Sequence, residues 1–356
     1  MKGTPTMLNA PLVATSVVDG RWCSPYLPEQ TLGGYLAHVE ASQPPLRAAL
    51  DFEREGTDSA LAALVATTTE FDTDATGRGD SYRRAQRDAS VRWSGARQLL
   101  HLCGATDAEP GTVILDVLGG DGTLARALRQ QDPASAARLS LLTGDISGEM
   151  VAQALAHGLP AVRQAADFLF LRDGSVDATL LAYGTHHISP AERPTAVREA
   201  LRVTRPQGRV VLHDFDEASP MARFFGRVVH HHSTAGHDYP HFSREELHEL
   251  FAAAGSPVEV LDVYDPLVVR ADTEAEARQR MCDYVADMYG ISTLFDRLGP
   301  ADSWRLLEEC FDHEDYLARL PHRPEGMSSP VVHRADGRFV AEVPRVAIVA
   351  VADKAV

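Results

Sequence analysis

The pattern of apolar and polar positions changes near residue 105. Before this point, apolar residues recur every three to four positions in the segments 29–54, 58–71 and 80–104. This spacing predicts amphipathic helices. We therefore predict that residues 1–105 form a helical N-terminal unit, which serves as a cap over a second domain or as a dimerisation surface.

From Thr112 onward, short β-rich runs alternate with helical stretches. The runs are TVILDVLG, LSLLTGD, VDATLLAYG and GRVVLHDF, and two later runs, VEVLDVY and VPRVAIVAVA, have the same texture. Strands that are apolar throughout and alternate with helices are typical of a parallel sheet buried on both faces. The pattern predicts a doubly wound, Rossmann-like α/β domain over residues 106–356.

Two segments interrupt this alternation, at about 217–242 and 271–338. Both contain stretches with helical spacing, such as MARFFGRVVHHH and TEAEARQRMCDYVADMYG. They follow late strands, so they are expected near the carboxyl edge of the sheet, where folds of this class bind ligands. They are predicted to form a helical lid, and a dimer interface is the alternative.

Composition excludes several classes of function. The chain has 34 Lys and Arg against 50 Asp and Glu, a net charge of −16, which disfavours binding to the phosphates of nucleic acids. The four cysteines lie far apart, so neither a disulfide framework nor a thiolate metal site is indicated. No signal peptide and no run of about 18 apolar residues is present, so a cytoplasmic protein without a membrane partner is expected.

The segment VILDVLGGDGTL, residues 113–124, carries the most informative motif. A buried strand ends at Asp116, three glycines follow at Gly119, Gly120 and Gly122, and a helix starts near Thr123. Glycines let the backbone turn tightly and let a ligand approach the start of the helix. A nucleotide-binding turn is the functional interpretation, and a plain strand-to-helix turn is the alternative.

Two acidic residues strengthen the functional interpretation. Asp145 ends the second strand, where a carboxylate can accept hydrogen bonds from ribose hydroxyls. Asp167 follows the third strand, from which a side chain can face an adenine edge. Helix capping is the alternative role for both residues. No GKS or GKT sequence follows the glycines, so a triphosphate site is not indicated.

In this order, these motifs resemble those of the class I S-adenosylmethionine-dependent methyltransferases, from about Val113 to Gly255. The resemblance implies a sheet of seven strands whose last pair is antiparallel. It also implies the cofactor-binding residues: Gly119, Gly120 and Gly122 around the methionine part, with Asp116 at the start of their loop, Asp145 and Ile146 at the ribose, Asp167 and Phe168 at the adenine, Tyr183 beside the sulfur, and Tyr82 closing over the cofactor. Leu118 departs from the family, which usually has glycine there, so its side chain points away from the cofactor or the methionine end shifts.

Histidines cluster after the later strands. They occur in the segments His186-His187, His213-Asp214, His230-His231-His232, His237-Asp238 and His241. A neutral imidazole can accept a proton or bind a metal. Structural roles at polar helix ends are the alternative for each of them.

A narrower resemblance concerns GTHHISPAE and AGHDYPHFSREELHELFAAAG. This pair of segments is similar to the α-keto acid C-methyltransferases of peptide-antibiotic pathways, in which a His-Asp pair and a later histidine hold a metal. Carried over, the metal ligands are His186, His187 and His237, with His187 in place of the aspartate. Three imidazoles suit zinc or iron. The predicted catalytic residues, as base or ligands, are His187, His237 and Asp238.

The sequence thus predicts an S-adenosylmethionine-dependent methyltransferase that acts on a small molecule. A C-methyltransferase of secondary metabolism is favoured, with an α-keto acid or an electron-rich aromatic such as an indole as acceptor. An O- or N-methyltransferase of a small metabolite, or a cyclase or isomerase that retains the cofactor, is the alternative. A homodimer is expected, with no nucleic-acid partner.

Overall fold

The computed structural model describes residues 32–72 and 77–355. Residues 1–31 of the predicted N-terminal unit lie outside the described residues. The helices are α1 Leu32–Ser42, α2 Pro44–Ala49, α3 Thr57–Ala66, α4 Gly79–Gln86, α5 Trp93–Leu102, α6 Thr123–Gln131, α7 Pro133–Ala136, α8 Gly148–Ala156, α9 Arg193–Val203, α10 Pro220–Phe224, α11 His230–His232, α12 Arg244–Ala253, α13 Glu274–Met288, α14 Ser292–Cys310 and α15 Glu314–Leu317. The strands are β1 Thr112–Asp116, β2 Leu139–Asp145, β3 Ala161–Arg163, β4 Val176–Leu181, β5 Thr204–Asp214, β6 Glu259–Tyr264, β7 Leu267–Ala271, β8 Val331–Ala335, β9 Arg338–Val343 and β10 Val346–Asp353.

The main sheet has seven strands in the order β3-β2-β1-β4-β5-β10-β6. Strands β1 to β5 pair in parallel, and β10 runs antiparallel to both β5 and β6. Ile114 and Leu115 of β1 point to opposite faces and are both fully buried, as expected where helices cover a sheet on two sides. The predicted Rossmann-like sheet with an antiparallel final pair is confirmed.

The strand order reverses between β1 and β4, which are neighbours in the sheet. Strands β2 and β3 lie on one side of this point, and β5 lies on the other. At such a point the connections leave in opposite directions, and a crevice opens at the carboxyl ends of the strands. The glycine-rich turn after β1 and the end of β2 border this crevice. The fold therefore determines where the predicted cofactor residues meet.

Helices of the N-terminal segment pack directly on the sheet. The Tyr35 hydroxyl of α1 donates a hydrogen bond to the Ala161 carbonyl at 2.7 Å, and the Asp51 amide donates to the Phe170 carbonyl at 2.8 Å. Further along, α4 packs against α13 of the later insert, where Arg84 pairs with Asp287 at 2.7 Å. The N-terminal segment therefore contacts both the sheet and the second insert.

The insert at about 217–242 is helical, with an unusual turn at its centre. Helix α10 continues into a π-helical turn over Phe225–Val229 and then into α11. Phe224 and Phe225 are buried at the junction. Single π turns within a helix widen it locally and are frequent at functional sites.

The insert at about 271–338 contains α13, α14, α15 and strand β8, and it is flanked by β7 and β9. These three strands form a small sheet that the sequence pattern did not predict. Strands β7, β9 and β8 form a three-stranded antiparallel sheet in that order. Strand β8, at one edge, is only half-buried and includes His333 and Arg334. An edge strand with polar residues lacks a clear apolar run, so the expectation of a purely helical insert missed it.

The sequence indicated neither disulfides nor membrane-spanning segments, and the described part of the chain bears on both. Cys103, Cys282 and Cys310 carry free thiols there. Across residues 32–72 and 77–355, none of the helices combines the length and the apolar character that crossing a membrane requires.

Candidate functional site

A crevice of about 570 Å³ lies at the carboxyl ends of β1, β2 and β4. The residues lining one wall come from the turn before α3, from α3 itself and from the residue that follows it: Gly56, Ser59, Ala60, Ala63, Leu64 and Thr67. The opposite wall includes Ile146, Asp167, Phe168 and His187. The crevice is therefore enclosed between the sheet edge and the N-terminal helices.

Two positions in the turn after β1 require glycine for structural reasons. Gly122 has φ +77°, and a Cβ atom there would lie 2.1 Å from the Leu159 Cδ1 atom. A Cβ atom on Gly119 would lie 2.8 Å from the Thr143 Cγ2 atom. Only glycine fits these positions without displacing β2 and its neighbours. The turn is thereby held flat against the end of β2.

Asp145 ties this turn to the end of β2. Its carboxylate accepts hydrogen bonds from the Gly120 amide at 2.9 Å and from the Ser147 amide at 2.8 Å. Burial raises the pKa of Asp145 to about 6. Each carboxylate oxygen has a second lone pair, so the group can still accept hydrogen bonds from a ligand's hydroxyls.

The other predicted adenosine residues meet in the crevice. Ile146, Asp167 and Phe168 all line it. Asp167 is half-buried, and burial raises its pKa. Leu118 also lines the crevice.

A narrow pocket of about 30 Å³ lies on the far side of the glycine turn. Tyr82, Asp116, Gly119 and Tyr183, all predicted to bind the cofactor, line it together with Arg92. Burial, followed by the negative charge of Asp145, raises the pKa of Asp116 to about 7. The structure thus joins Tyr82 of α4 to residues that follow β1 and β4.

Tyr183 has a backbone conformation that is rare for a residue with a side chain. Its φ is +59°, and its hydroxyl donates to the Asp265 Oδ1 atom at 3.1 Å. Asp265 is buried and also accepts from the Arg345 Nη2 atom at 2.7 Å. Left-handed backbone at such a residue persists only where its surroundings hold it. The Arg345–Asp265 pair supplies that support.

Four histidines and one aspartate form a compact group beside the crevice, which we call the histidine cluster: His186, His187, His237, His241 and Asp214. The His186 Nδ1 atom lies 2.9 Å from Asp214 Oδ2, and the His241 Nδ1 atom lies 3.2 Å from Asp214 Oδ1. An ionised carboxylate only accepts, so each imidazole donates from Nδ1 and keeps a free lone pair on Nε2.

Several imidazole nitrogens of the histidine cluster are buried without a hydrogen-bond partner among the described residues. They are His186 Nε2, His241 Nε2 and both ring nitrogens of His237. Buried polar atoms nearly always have partners, so this concentration is unusual. One ring nitrogen each of His186, His187 and His237 lies within 4.8 Å of the others, which is close enough to bind one ion. The predicted metal ligands are therefore brought together.

Burial keeps these imidazoles neutral. It is the main cause that lowers the pKa of His237 to about 2 and the pKa of His187 well below its ordinary value. The positive charge of Arg78 acts in the same direction. A neutral imidazole is the form that binds a metal or accepts a proton. The cluster is thus suited to either role.

His187 connects the histidine cluster to the crevice, because it lines the crevice wall and its ring centroid lies 4.6 Å from that of His186. Aromatic rings enclose the cluster. Phe225 stacks on His237 with centroids 4.1 Å apart, and Tyr239 lies 4.2 Å from His187. The π-helical turn places Phe225 at this position.

One predicted catalytic residue is not brought to the cluster. Asp238 is exposed, whereas its neighbour His237 is 5% exposed. The two residues are consecutive in a loop without regular secondary structure, and only His237 is buried. The sequence placed Asp214 and His241 among the histidine-rich segments but gave them no site role, and they occupy the inner positions. The segment HDF at the end of β5 was a visible signal for Asp214.

Comparison with known proteins concerns part of the chain. Residues 115–212 match a family model described as "Methyltransferase domain". The demethylmenaquinone methyltransferase of Beutenbergia cavernae is 34% identical over 122 residues, which are 34% of this chain and 47% of that protein. The ubiquinone/menaquinone biosynthesis C-methyltransferase UbiE of Stenotrophomonas maltophilia is 28% identical over 133 residues, 35% of this chain and 50% of that protein. The chain thus spans about half the length of these curated relatives.

Among solved structures, phosphoethanolamine N-methyltransferase 2 of Haemonchus contortus, in complex with S-adenosyl-L-methionine, is similar to this chain. The TM-score is 0.47, the sequence identity is 14%, and the match covers 82% of this chain and 61% of that one.

Proposed function

Since the chain carries a class I S-adenosylmethionine-dependent methyltransferase domain, we propose that it transfers a methyl group from S-adenosylmethionine to a carbon atom of a small molecule. The observation that supports this most directly is the group of buried, unpartnered imidazole nitrogens next to the crevice. Burial of such groups is unfavourable unless a ligand or a metal forms bonds with them. Their position beside His187 connects them to the proposed cofactor site.

In this proposal the crevice and the narrow pocket hold the cofactor. Bound S-adenosylmethionine supplies an activated methyl group. Asp145 accepts hydrogen bonds from the ribose hydroxyls, and Ile146, Asp167 and Phe168 border the adenine. The methionine end lies along the residues around the glycine turn: Asp116, Gly119, Gly120, Gly122, Tyr82 and Tyr183. The walls then exclude water from the place where the acceptor and the methyl donor meet.

The acceptor lies at the histidine cluster, and the donor set fits a divalent metal such as zinc or iron. His186, His187 and His237 are the proposed ligands, and Asp214 fixes the orientation of His186. A metal bound there supplies Lewis acidity to the oxygens of an α-keto acid. Without a metal, His187, which faces the crevice, is instead placed to accept a proton from the acceptor.

Two acceptor classes agree with this cluster, an α-keto acid and an electron-rich aromatic such as an indole. The names of the relatives refer to quinone biosynthesis and, for the second, to C-methylation, which favours carbon over oxygen or nitrogen. Several unpartnered nitrogens exceed what a single proton acceptor requires, so we favour the α-keto acid. The antibiotic-pathway context remains part of the proposal.

The test uses the full chain with α-keto acids and indoles, and measures formation of S-adenosylhomocysteine. Replacing His186 or His237 with Ala is expected to lower turnover by about 10² or more with unchanged cofactor affinity, because both residues act on the acceptor. His248→Ala, an exposed histidine on α12, is the matched control. Full activity in both cluster variants would overturn the assignment.

Chelation separates the two acceptor classes. With an α-keto acid, removal of metal is expected to abolish turnover, and addition of zinc or iron is expected to restore it. Well under one metal per chain, together with full activity in chelator, would remove the metal and leave a histidine base acting on an aromatic carbon. Conversion of an acceptor without consumption of the cofactor would instead indicate a cyclase or isomerase.

A further inference from the structure

A buried ion pair from the N-terminal segment lies against the histidine cluster. The Glu70 Oε2 atom is 2.8 Å from the Nε atom of Arg78, the residue directly before α4. The side chains of Arg78 and Glu70 are only 6% and 7% exposed. The Arg78 Nη1 atom also donates to the Met288 carbonyl, at the end of α13, at 3.0 Å. The ion pair is therefore held between the N-terminal segment and the second insert.

The second carboxylate oxygen of Glu70 faces the histidine cluster. Glu70 Oε1 lies 3.5 Å from His187 Nδ1 and has no hydrogen-bond partner among the described residues. This contact is longer than a charge-assisted N–H to carboxylate hydrogen bond, which measures about 2.7–2.9 Å. Buried carboxylate oxygens nearly always accept a hydrogen bond. The His187 ring is thus the group next to an oxygen that still needs a donor.

Asp214 is the other carboxylate in contact with the cluster, and its oxygens are already satisfied. They accept from the Thr185 hydroxyl, from the backbone amides of His186 and Phe215, and from the Nδ1 atoms of His186 and His241. Within the described ranges, Asp214 and Glu70 are the carboxylates that lie within 4.0 Å of a ring nitrogen of the cluster. Glu70 is therefore the one with acceptor capacity left.

A histidine that binds a metal through one ring nitrogen nearly always donates the other N–H to an oxygen acceptor. That hydrogen bond fixes the tautomer and the orientation of the ring, and it makes the imidazole a stronger ligand. A nearby carboxylate also offsets part of the charge that a divalent ion brings into a buried site. Asp214 is placed to do this behind His186, but it makes no contact of this kind with His187.

We infer that Glu70 is the positioning residue of His187, accepting a hydrogen bond from Nδ1–H and leaving Nε2 as the metal-binding nitrogen. This inference rests on the proposed metal site at the histidine cluster. Arg78 holds the Glu70 carboxylate in place through Oε2, so that Oε1 stays directed to the ring. The N-terminal segment is then part of the metal site, although none of the three proposed ligands belongs to it.

Binding of Co²⁺ to the full chain tests this inference without cofactor or acceptor. Cobalt(II) bound by imidazoles absorbs visible light, and the intensity of its bands depends on the coordination geometry. Glu70→Ala is expected to weaken Co²⁺ binding by about 10- to 100-fold, the usual effect of removing the outer partner of a ligand histidine. It is also expected to change the band intensity, because the His187 ring is no longer oriented. Glu70→Gln keeps an acceptor oxygen without the charge, so a spectrum like that of the wild type and an intermediate affinity are expected.

A double-mutant cycle shows whether Glu70 acts through His187. In a His187→Ala background, most of the effect of Glu70→Ala on Co²⁺ affinity is expected to disappear. Glu199→Ala is the matched control, because the Glu199 side chain is also 7% exposed and pairs with an arginine, Arg54, at 2.6 Å. This control is expected to leave Co²⁺ affinity and the spectrum unchanged in both backgrounds.

The outcomes distinguish the inference from the proposed function. If the wild-type protein binds no Co²⁺, the proposed metal site fails and the inference fails with it. If the wild-type protein and both Glu70 variants bind Co²⁺ with equal affinity and the same spectrum, the inference is wrong while the metal site stands. Equal losses from Glu70→Ala with and without His187 would also overturn it, because Glu70 would then only support the fold. Glu70→Gln is nearly identical in shape to the wild type, so its comparison holds even if Glu70→Ala does not fold.

Discussion

Two carboxylates border the glycine turn, the buried Asp116 and the half-buried Asp145, and no described basic residue forms an ion pair with either. Burial is the largest cause of the raised pKa values, about 7 for Asp116 and about 6 for Asp145. Unfolded aspartates titrate near a pH of about 4. Between these values the folded protein binds more protons than the unfolded chain.

The free energy of unfolding of the ligand-free protein is therefore expected to fall as pH rises from about 4 to about 7. The loss is expected to be on the order of 3 kcal/mol for each of the two carboxylates. Asp116→Asn removes one titrating group, so its curve is expected to fall less steeply. Urea unfolding of both proteins at a series of pH values measures this. Parallel curves would show that Asp116 does not titrate in this range.

The role proposed for Asp145 also gives a prediction for a single residue. Asp145→Ala removes charge-assisted hydrogen bonds to the ribose, so it is expected to weaken cofactor binding by about 1.5–3 kcal/mol. Calorimetry measures the change. Asp173→Ala, an aspartate on the surface beside Arg202, is the control and is expected to change nothing. Unchanged affinity in Asp145→Ala would remove this residue from the site.

At the scale of the elements, α5 packs tightly against the turn between β6 and β7, where the backbone of Gly95 meets the side chain of Asp265. A Cβ atom on Gly95 would lie 1.6 Å from the Asp265 Oδ1 atom. Asp265 cannot move aside, because it holds Arg345 and Tyr183. The glycine therefore lets α5 sit against this turn, which positions both Arg92 and Tyr183.

Gly95→Ala is expected to destabilise the protein by about 1–3 kcal/mol, as overpacking in a core does. It is also expected to weaken cofactor binding, because α5 shifts. Gly226→Ala in the π-helical turn is the control, since a Cβ atom there meets nothing within 4 Å. Thermal unfolding and calorimetry give the two readouts. Equal stability of both variants would contradict the tight contact.

The sequence was most informative where one element determines the answer. Apolar runs predicted the main strands, because burial on both faces leaves a continuous signal, and the glycines marked the turn after β1. Pairings between distant segments carry no such signal. The hydrogen bond from His241 to Asp214 depends on the loop that returns to the sheet.

Arg92 illustrates the same limit at the narrow pocket. Nothing local separates it from Arg87 and Arg97, which are exposed on the neighbouring turns. Which arginine faces inward depends on how α5 packs against Asp265, and that contact joins residues far apart in the chain. The three-stranded sheet was missed because its two edge strands, β7 and β8, are short and each includes polar residues.

At the scale of the whole molecule, cofactor binding is expected to stabilise the fold, because the walls of the crevice and of the narrow pocket come from several parts of the chain. A ligand at about 100 times its Kd adds about 2.7 kcal/mol if it binds only the folded state. Titration of the protein with S-adenosylhomocysteine, followed by urea unfolding, measures this. Asp145→Ala at the same ligand concentration is expected to gain much less. No shift in the wild-type protein would contradict a preformed site.

The homodimer and the cytoplasmic location remain predictions from the sequence. Light scattering of the full chain measures the dimer, for which a mass near twice 38.7 kDa is expected. A monomeric mass would rule out the dimer interface as the role of the helical inserts and would leave the lid as their predicted role. The net charge of −16 gives a separate expectation, that the protein does not bind DNA or RNA at physiological salt.

The enclosure of the crevice by α3, and of the narrow pocket by α4 and α5, bears on how such proteins can be recombined. The family match begins at residue 115, yet one wall of each cavity lies before it. A chimaera joined at that boundary would inherit the glycine turn without Arg92, Tyr82 or the wall of α3. The sheet of the chimaera is expected to fold, but its affinity for the proposed cofactor is expected to be low. The transplantable module is thus longer than the similarity suggests, and transfer of an intact cofactor site requires crossovers upstream of α3.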